Sequence, residues 1–256
     1  MTKRSSWSIP YLVFLILFVA LPLILIAVYA LQDNSGHFTL ANITRFFSDS
    51  DSLSTFALSI EVAIENTAIC ILLGYPVAWI LSNKNYNRSA VTIVLFILPM
   101  WINALMRTLA TAELFNVLGF KLGKGTLLYG MVYDYLPFMI YPIYNILQKI
   151  DPSYSEAASD LGATPRQVFW KVTVPLSMPG VKSGILMVFM PTVSTFAISE
   201  FLTNGKIKLF GTIIQENINS SMWNYGAALS LIMLLIIGLT TLLGGEGKKA
   251  GEGSLV

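Results

Sequence analysis

EAASDLGATPRQVFWKVTVPLSMPG, residues Glu156–Gly180, is a polar stretch with apolar sequence on either side. Two helix starts and one stop can be read in it and just ahead of it. Asp151-Pro152 offers an N-cap with proline at the first helical position, and Ser153-x-x-Glu156 offers a capping box as an alternative. A helix begun there runs through Ala157 and Ala158 and stops at Gly162, a residue type that enters the left-handed region without a Cβ penalty. Thr164-Pro165-Arg166-Gln167 repeats the start signal, with Gln167 placed to reach back to the cap. The second helix carries Val168, Phe169, Val172 and Val174, and its expected end lies before Pro175. The stretch 151–180 therefore reads as helix, glycine turn, helix, and a proline-bounded entry into the next apolar segment. About 30 residues is more than a connector needs, and the pair leaves an aromatic and aliphatic face uncovered. Ala157 and Ala158 let a partner surface come close, and Phe169 and Trp170 are bulky anchors of the kind protein interfaces favour.

Outside this stretch the chain is built for lipid. Of 256 residues, 55% are hydrophobic and only 12% charged, against roughly a quarter charged in soluble domains. Mean hydropathy is +0.67. A span needs about 20 mostly apolar residues, and six segments qualify: Pro10–Leu31, Thr55–Leu81, Ala90–Leu109, Thr126–Leu147, Gly180–Leu202 and Tyr225–Leu243. Period-two alternation is absent from them, so they read as helices and not as barrel strands. The expected fold is an all-α membrane protein with six transmembrane helices. Residues 1–243 form one transmembrane domain, and the tail 244–256 (GGEGKKAGEGSLV) reads as disordered. The first apolar run is too long for a signal-peptide core of roughly 7–15 residues and reads as a retained helix.

Lysine and arginine placement sets the expected orientation. With the N-terminus inside, Lys3, Arg4, Lys84, Arg88, Lys149, Arg166, Lys171, Lys182, Lys248 and Lys249 lie on the cytoplasmic side. Arg45, Arg107, Lys121, Lys124, Lys206 and Lys208 face out. The expected arrangement is N-in and C-in, which makes the quoted stretch cytoplasmic. The loops Gln32–Leu53 and Thr203–Asn224 are then external, and GTIIQENINSSMW in the second includes a short amphipathic piece.

Several classes are poorly served. A net charge of +2 gives no reason to invoke nucleic acid, and the one cysteine, Cys70, cannot form an intramolecular disulfide. One histidine, His37, no helical His/Glu metal spacing and no Gly-x-Ser-x-Gly elbow argue against an enzyme, and no metal site is expected. Without a Walker A loop the chain has no such route to ATP, so it is expected to carry no cofactor itself. A proton-coupled secondary transporter remains a rival, because intramembrane acids relay protons. Such folds commonly show internal repeats and interrupted helices at the binding site, and neither is evident.

Glu156-Ala157-Ala158, three residues, Gly162, then Phe169, Val174-Pro175 and Pro179 resemble the EAA loop of ABC-importer permeases. LGYPVAWILS (Leu73–Ser82), LPMWINALMRTLA (Leu98–Ala110), YLPFMIYPIY (Tyr135–Tyr144) and SMPGVKSGILMVFMP (Ser177–Pro191) are similar to the spermidine/putrescine permeases within that family. The resemblance implies a six-span, MetI-like, type I importer permease in the bacterial plasma membrane. It implies an ATPase-coupling role for Glu156, Ala157, Ala158, Gly162, Phe169 and Pro175. It also implies a homologous second permease, a cytoplasmic ATPase dimer that carries the ATP and Mg, and an extracytoplasmic binding protein, beside membrane lipid. Polyamines are the implied solute, with thiamine or iron as alternatives among related permeases.

Ionisable residues at membrane depth are costly and usually face a cavity or partner. Glu61 and Glu65 lie one turn apart in the second segment, Asp134 sits in the fourth, and Glu200 lies near the end of the fifth. In the expected orientation all four fall in the outer half of the bilayer, where carboxylates suit an incoming polyvalent cation. Glu65, Asp134 and Glu200, with cation–π support from Trp101, Tyr133 and Tyr135, are the candidate pathway residues. Arg107 is placed to balance an acid or a lipid headgroup.

Overall fold

The computed structural model describes residues 9–33, 35–83 and 91–244. Lys3, Arg4, Lys84, Arg88, Lys248 and Lys249, on which much of the orientation argument rests, and the tail beyond Gly244 lie outside the described residues. Among the described residues the chain is helical, with one isolated β-bridge joining Gln32 and Phe38.

Helices α1 (Ile9–Leu15) and α2 (Leu21–Ala30) are joined through a π turn at Ile16–Ala20 into one apolar rod, and α2 packs along the last helix, α13 (Trp223–Gly244). A short amphipathic helix α3 (Ala41–Ser48) precedes α4 (Ser50–Ser82), which is 33 residues long and starts before the expected Thr55. Asp49 explains the early start, since its carboxylate accepts the backbone N–H of Asp51 and caps the helix. Next come α5 (Val91–Ile97), a 3₁₀ turn at Leu98–Trp101, and α6 (Ala104–Val117). Helix α7 (Lys124–Leu147) leads to the short helices α8 (Ser153–Asp160) and α9 (Pro165–Val168). A π turn at Phe169–Thr173 then opens into α10 (Val174–Ser194), followed by α11 (Ala197–Thr203), α12 (Phe210–Asn219) and α13.

Two expected spans are broken. The third segment was read as one helix over Ala90–Leu109, but α5 with its 3₁₀ turn and α6 meet at an angle of 88°. Pro99 lies within that turn, and the Asn103 side chain accepts the N–H groups of Leu105 and Met106 to start a new helix. The fifth segment, read as Gly180–Leu202, ends α10 at Ser194 and restarts as α11 at Ala197, with Thr195 in extended conformation between them. Among the described residues, three helices, Pro10–Ala30, Ser50–Ser82 and Pro165–Ser194, are long and apolar enough to cross a bilayer, and the bent pair counts as a fourth if it is taken as one span. The α12 helix matches the short amphipathic piece expected in the second polar loop.

Helices α4, α7 and α10 form the centre, each packed on the other two. Cys70, Ala78, Met139, Ile140, Ile143, Val181 and Val188 make their shared core. Against lipid there is no hydrophobic drive to hold helices together, so close packing and interhelical hydrogen bonds carry the association. Asn66 on α4 donates to Thr192 on α10 at 2.8 Å, and Tyr75 and Ser177 hydroxyls meet at 2.8 Å between the same two helices. Ser59 of α4 accepts the N–H of Phe210 at 2.7 Å and fastens α12 to the bundle.

Candidate functional site

The polar stretch folds much as its caps require. Asp151 Oδ1 accepts the N–H of Ser153 at 2.9 Å, and that N–H, the largest influence, holds the carboxyl below its usual range. The Ser153/Glu156 capping box is not formed, because Asp151 already serves that helix end. Gly162 has φ +85°. Its N–H bonds the Ser159 carbonyl, and the Ala163 N–H bonds the Ala158 carbonyl at 3.0 Å, the paired closure of a Schellman turn. At α9 the capping box is complete: Gln167 N–H reaches Thr164 Oγ1, and Thr164 N–H reaches Gln167 Oε1 at 2.8 Å.

Two placements differ from the sequence reading. The second helix does not end before Pro175; it continues through the π turn into α10. The widened turn pairs the Val174 N–H with the Phe169 carbonyl, five residues back, and Pro175 falls in the first turn of α10, where a missing N–H is tolerated. Phe169, read as an outward anchor, is half-buried against α4, edge-on to Tyr75 and Trp79 at 6.0 and 5.5 Å between ring centroids. It fastens the pair to the bundle, and Trp170, 60% exposed, points outward. The most exposed apolar residue of the pair is Leu161, at 90%. Sequence reading passed over it, although its place one residue before the turn glycine marks it as the tip. Glu156 and Ala157 are exposed and Ala158 is half-buried beside the turn.

The charged residues of the expected pathway are distributed over three settings. Asp134, 2% exposed, meets Arg107, 6% exposed, with Nη2 3.0 Å from Oδ1. Thr108 Oγ1 donates to Asp134 Oδ2 at 3.2 Å, and the Arg107 guanidinium sits 5.6 Å from the Tyr133 ring centroid. The expectation that Arg107 balances an acid is met. At the end of the bundle opposite the helix pair, Lys124 Nζ bridges Glu61 and Glu65 at 2.8 and 2.9 Å, tying the start of α7 to α4. Nothing in sequence spacing links Lys124 to those acids, which lie about 60 residues earlier. Glu200 is exposed on α11, and no ion pair among the described residues reaches it. Asp134 and Glu200 are therefore not brought into contact. Of the aromatics, Trp101 stands 85% exposed at the break before α6, and Tyr133 is 42% exposed. Tyr135 is turned inward, its hydroxyl donating to the Pro191 carbonyl at 3.4 Å. The described residues include no group of three or more His, Cys, Asp or Glu able to hold a metal ion.

Residues 3–245 match the family described as "Binding-protein-dependent transport system inner membrane component". The chain is 32% identical to the spermidine/putrescine transport system permease protein PotB of Escherichia coli K12, over 90% of its own length and 92% of that protein's. The PotB of Haemophilus influenzae is also 32% identical, over 90% of this chain and 86% of its own. A PotB homolog of Mycoplasma genitalium is 27% identical, over 79% of this chain and 76% of its own. Among solved structures, a bacterial ABC transporter that imports the acidic polysaccharide alginate superposes with TM-score 0.68 at 13% identity, covering 96% of each chain. A chain of the inward-facing MetNI methionine ABC transporter superposes with TM-score 0.62 at 15% identity, over 75% of this chain and 92% of that one. At such identities these superpositions establish the fold alone. Sequence likeness that runs the length of the bundle, helix pair included, makes this chain a member of the binding-protein-dependent transport system inner membrane component family, a multi-pass membrane permease subunit and not an ATPase.

Proposed function

We propose that this chain is the permease of an ATP-driven importer for polyamines such as spermidine and putrescine, with six spans and both termini in the cytoplasm. Identity of 32% over 90% of this chain to permeases named for those two amines carries the proposal. In this reading the helix pair 151–173 docks on a cytoplasmic ATPase dimer, which holds the ATP and Mg. Glu156, Ala157, Ala158 and Leu161 meet it, Gly162 shapes the turn, and Phe169 and Pro175 join the pair to α4 and α10. A second, homologous permease completes the pathway, and an extracytoplasmic binding protein delivers the amine.

The pathway residues in this reading are Glu65, Trp101, Tyr133, Asp134, Tyr135 and Glu200. Glu200 is open to a cation as it stands. Glu65 and Asp134 accept one only by releasing Lys124 and Arg107, so at those two sites a polyamine ammonium exchanges with a tethered cation.

Uptake of labelled spermidine by vesicles carrying the assembled complex tests the function. It should require ATP and survive an uncoupler; uptake that collapses with the proton gradient and ignores ATP would instead identify a secondary transporter. ATP-driven uptake of thiamine or iron with none of spermidine would retain the importer and discard the solute.

Coupling is testable at Gly162. No atom lies within 4 Å of a Cβ built there, so only the backbone resists a side chain. Holding valine at φ +85° costs about 1–2 kcal/mol, enough to shift a local equilibrium about 5- to 30-fold. Gly162→Val is expected to insert at normal abundance, yet lose at least ten-fold in ATP-driven uptake and in recovery of the ATPase with the permease. Normal coupled uptake at normal abundance contradicts the docking role of the turn.

A further inference from the structure

The helix pair is joined to the bundle by a soft piece of backbone. Across Phe169–Thr173 the turn is widened, with the Val174 N–H paired to the Phe169 carbonyl. Pro175 and Pro179 follow in α10 and donate no N–H, so the carbonyls of Lys171 and Pro175 lack a partner four residues on. A helix weakened in this way bends there under load.

One side chain of another helix braces this joint on both sides. Tyr75 and Trp79, one turn apart on α4, receive the Phe169 ring edge-on. The Tyr75 hydroxyl reaches past the joint to Ser177 Oγ at 2.8 Å. Ser177 donates its own proton to the Val174 carbonyl at 2.9 Å, so Tyr75 is the donor in the first bond. A relay therefore runs from Tyr75 O–H through Ser177 O–H to the carbonyl of the residue that closes the widened turn. Ser177 is fully buried, where linked hydrogen bonds strengthen one another. Tyr75 thus holds the first residue of the turn with its ring and, through Ser177, the residue after its end with its hydroxyl. Trp79 gives less support, because it lies beyond Pro76, which weakens the last turns of α4. Tyr75 lies on the bundle side of that proline. Beside it Gly74 is packed on α7 so closely that a Cβ would stand 3.0 Å from Met139 Cγ.

We infer that Tyr75 is a positioning residue for coupling: it stiffens the joint at 169–174, so that a displacement of the helix pair passes into α10 and is not lost in bending. The inference rests on the coupling role proposed for the pair. Neither Tyr75 nor Ser177 belongs to the surface proposed to meet the ATPase, so their part is transmission and not docking.

The test uses the complex of permease, ATPase and binding protein in vesicles, the binding protein carrying the solute with which it is purified. The readout is the factor by which that protein raises ATP hydrolysis, a signal that must cross the joint whatever the solute is. Tyr75→Phe keeps the ring and removes the hydroxyl, and Ser177→Ala breaks the same link from the other side. Each is expected to lower the stimulation at least three-fold, while the unstimulated rate and the recovery of ATPase with the permease stay within two-fold of the parent. The double variant is expected to be no worse than the poorer single one, because one link is broken either way. Tyr225→Phe is the control for a purely structural tie. It breaks a matched hydroxyl pair, with Ser52 at 3.0 Å, in a packed region away from the helix pair, and should leave the stimulation within two-fold. Full stimulation in Tyr75→Phe, losses that multiply in the double variant, or an equal loss in Tyr225→Phe overturns the inference. A parent complex whose hydrolysis ignores the binding protein removes the coupling reading and the inference together, whereas stimulation without polyamine uptake discards only the solute.

Discussion

Asp134→Leu is expected to be the most damaging single substitution in the membrane part of this chain. It leaves the Arg107 cation, 6% exposed, without its counter-charge at hydrocarbon depth. Removing one partner of a buried ion pair costs about 3–5 kcal/mol, two to nearly four powers of ten in a folding equilibrium. The variant should be recovered from membranes at a few per cent of the normal amount. Asp134→Leu combined with Arg107→Leu should restore most of the chain, because no charge is then stranded and a well-packed apolar pair replaces an imperfect ionic one. Fluorescence-detected size exclusion of the solubilised chain reads both results. A double variant as poor as the single one would show that the pair is not the source of the cost. A double variant that folds but takes up no polyamine would give the pair a role in transport as well; one that transports normally would confine the pair to scaffolding.

Gly180→Val is expected to be nearly as severe, by steric means. A Cβ at Gly180 would stand 2.8 Å from the Pro142 carbonyl oxygen and 3.0 Å from Ile143 Cα, both backbone atoms of α7. Backbone cannot turn aside as a side chain can, so α10 and α7 must separate where they cross. Overpacking of a close-packed core costs about 1–3 kcal/mol, and here the displaced contact lies between the bundle centre and the helix pair. The variant should melt several degrees lower and lose most ATP-driven uptake. Gly238→Val, where a Cβ meets nothing within 4 Å, serves as the control and should behave as the parent. Equal melting temperatures for the two variants would remove the close-approach argument.

What could be read from the sequence was what is encoded locally. Thr164 with Gln167, Gly162 and Asp151 act within a few residues of themselves, and each does in the fold what its chemistry indicates. The breaks at Ile102 and Thr195 were hidden because hydropathy is the same on both sides of each. Pro99 with Asn103 four residues later held the signal for the first, but a continuous apolar run masked it. The second break follows Pro191 by four residues, but that proline lies within α10, and no side-chain cap marks the restart at α11. Pairings across the bundle were legible as types of residue and not as partners. An intramembrane acid calls for a cation, yet only the packing of α6 on α7 selects Arg107 for Asp134 and assigns Lys124 to Glu61 and Glu65. Phe169 was misplaced for the same reason, since an aromatic that anchors outward and one that anchors inward look identical in sequence.

The uninterrupted helix from Pro165 to Ser194 has a consequence of leverage. Gly180 sits near its middle, pressed onto α7, with 15 residues toward the α8–α9 turn and 14 toward the break. At 1.5 Å per residue the two arms are about 22 and 21 Å long, a see-saw with its fulcrum where Gly180 meets the α7 backbone. A tilt of about 5° moves each end by roughly 2 Å in opposite directions. A push on Leu161 and its neighbours would therefore arrive at Thr195 undiminished and reversed in sign, and α11, hinged there with Glu200 aboard, would swing while the bundle centre stayed nearly still.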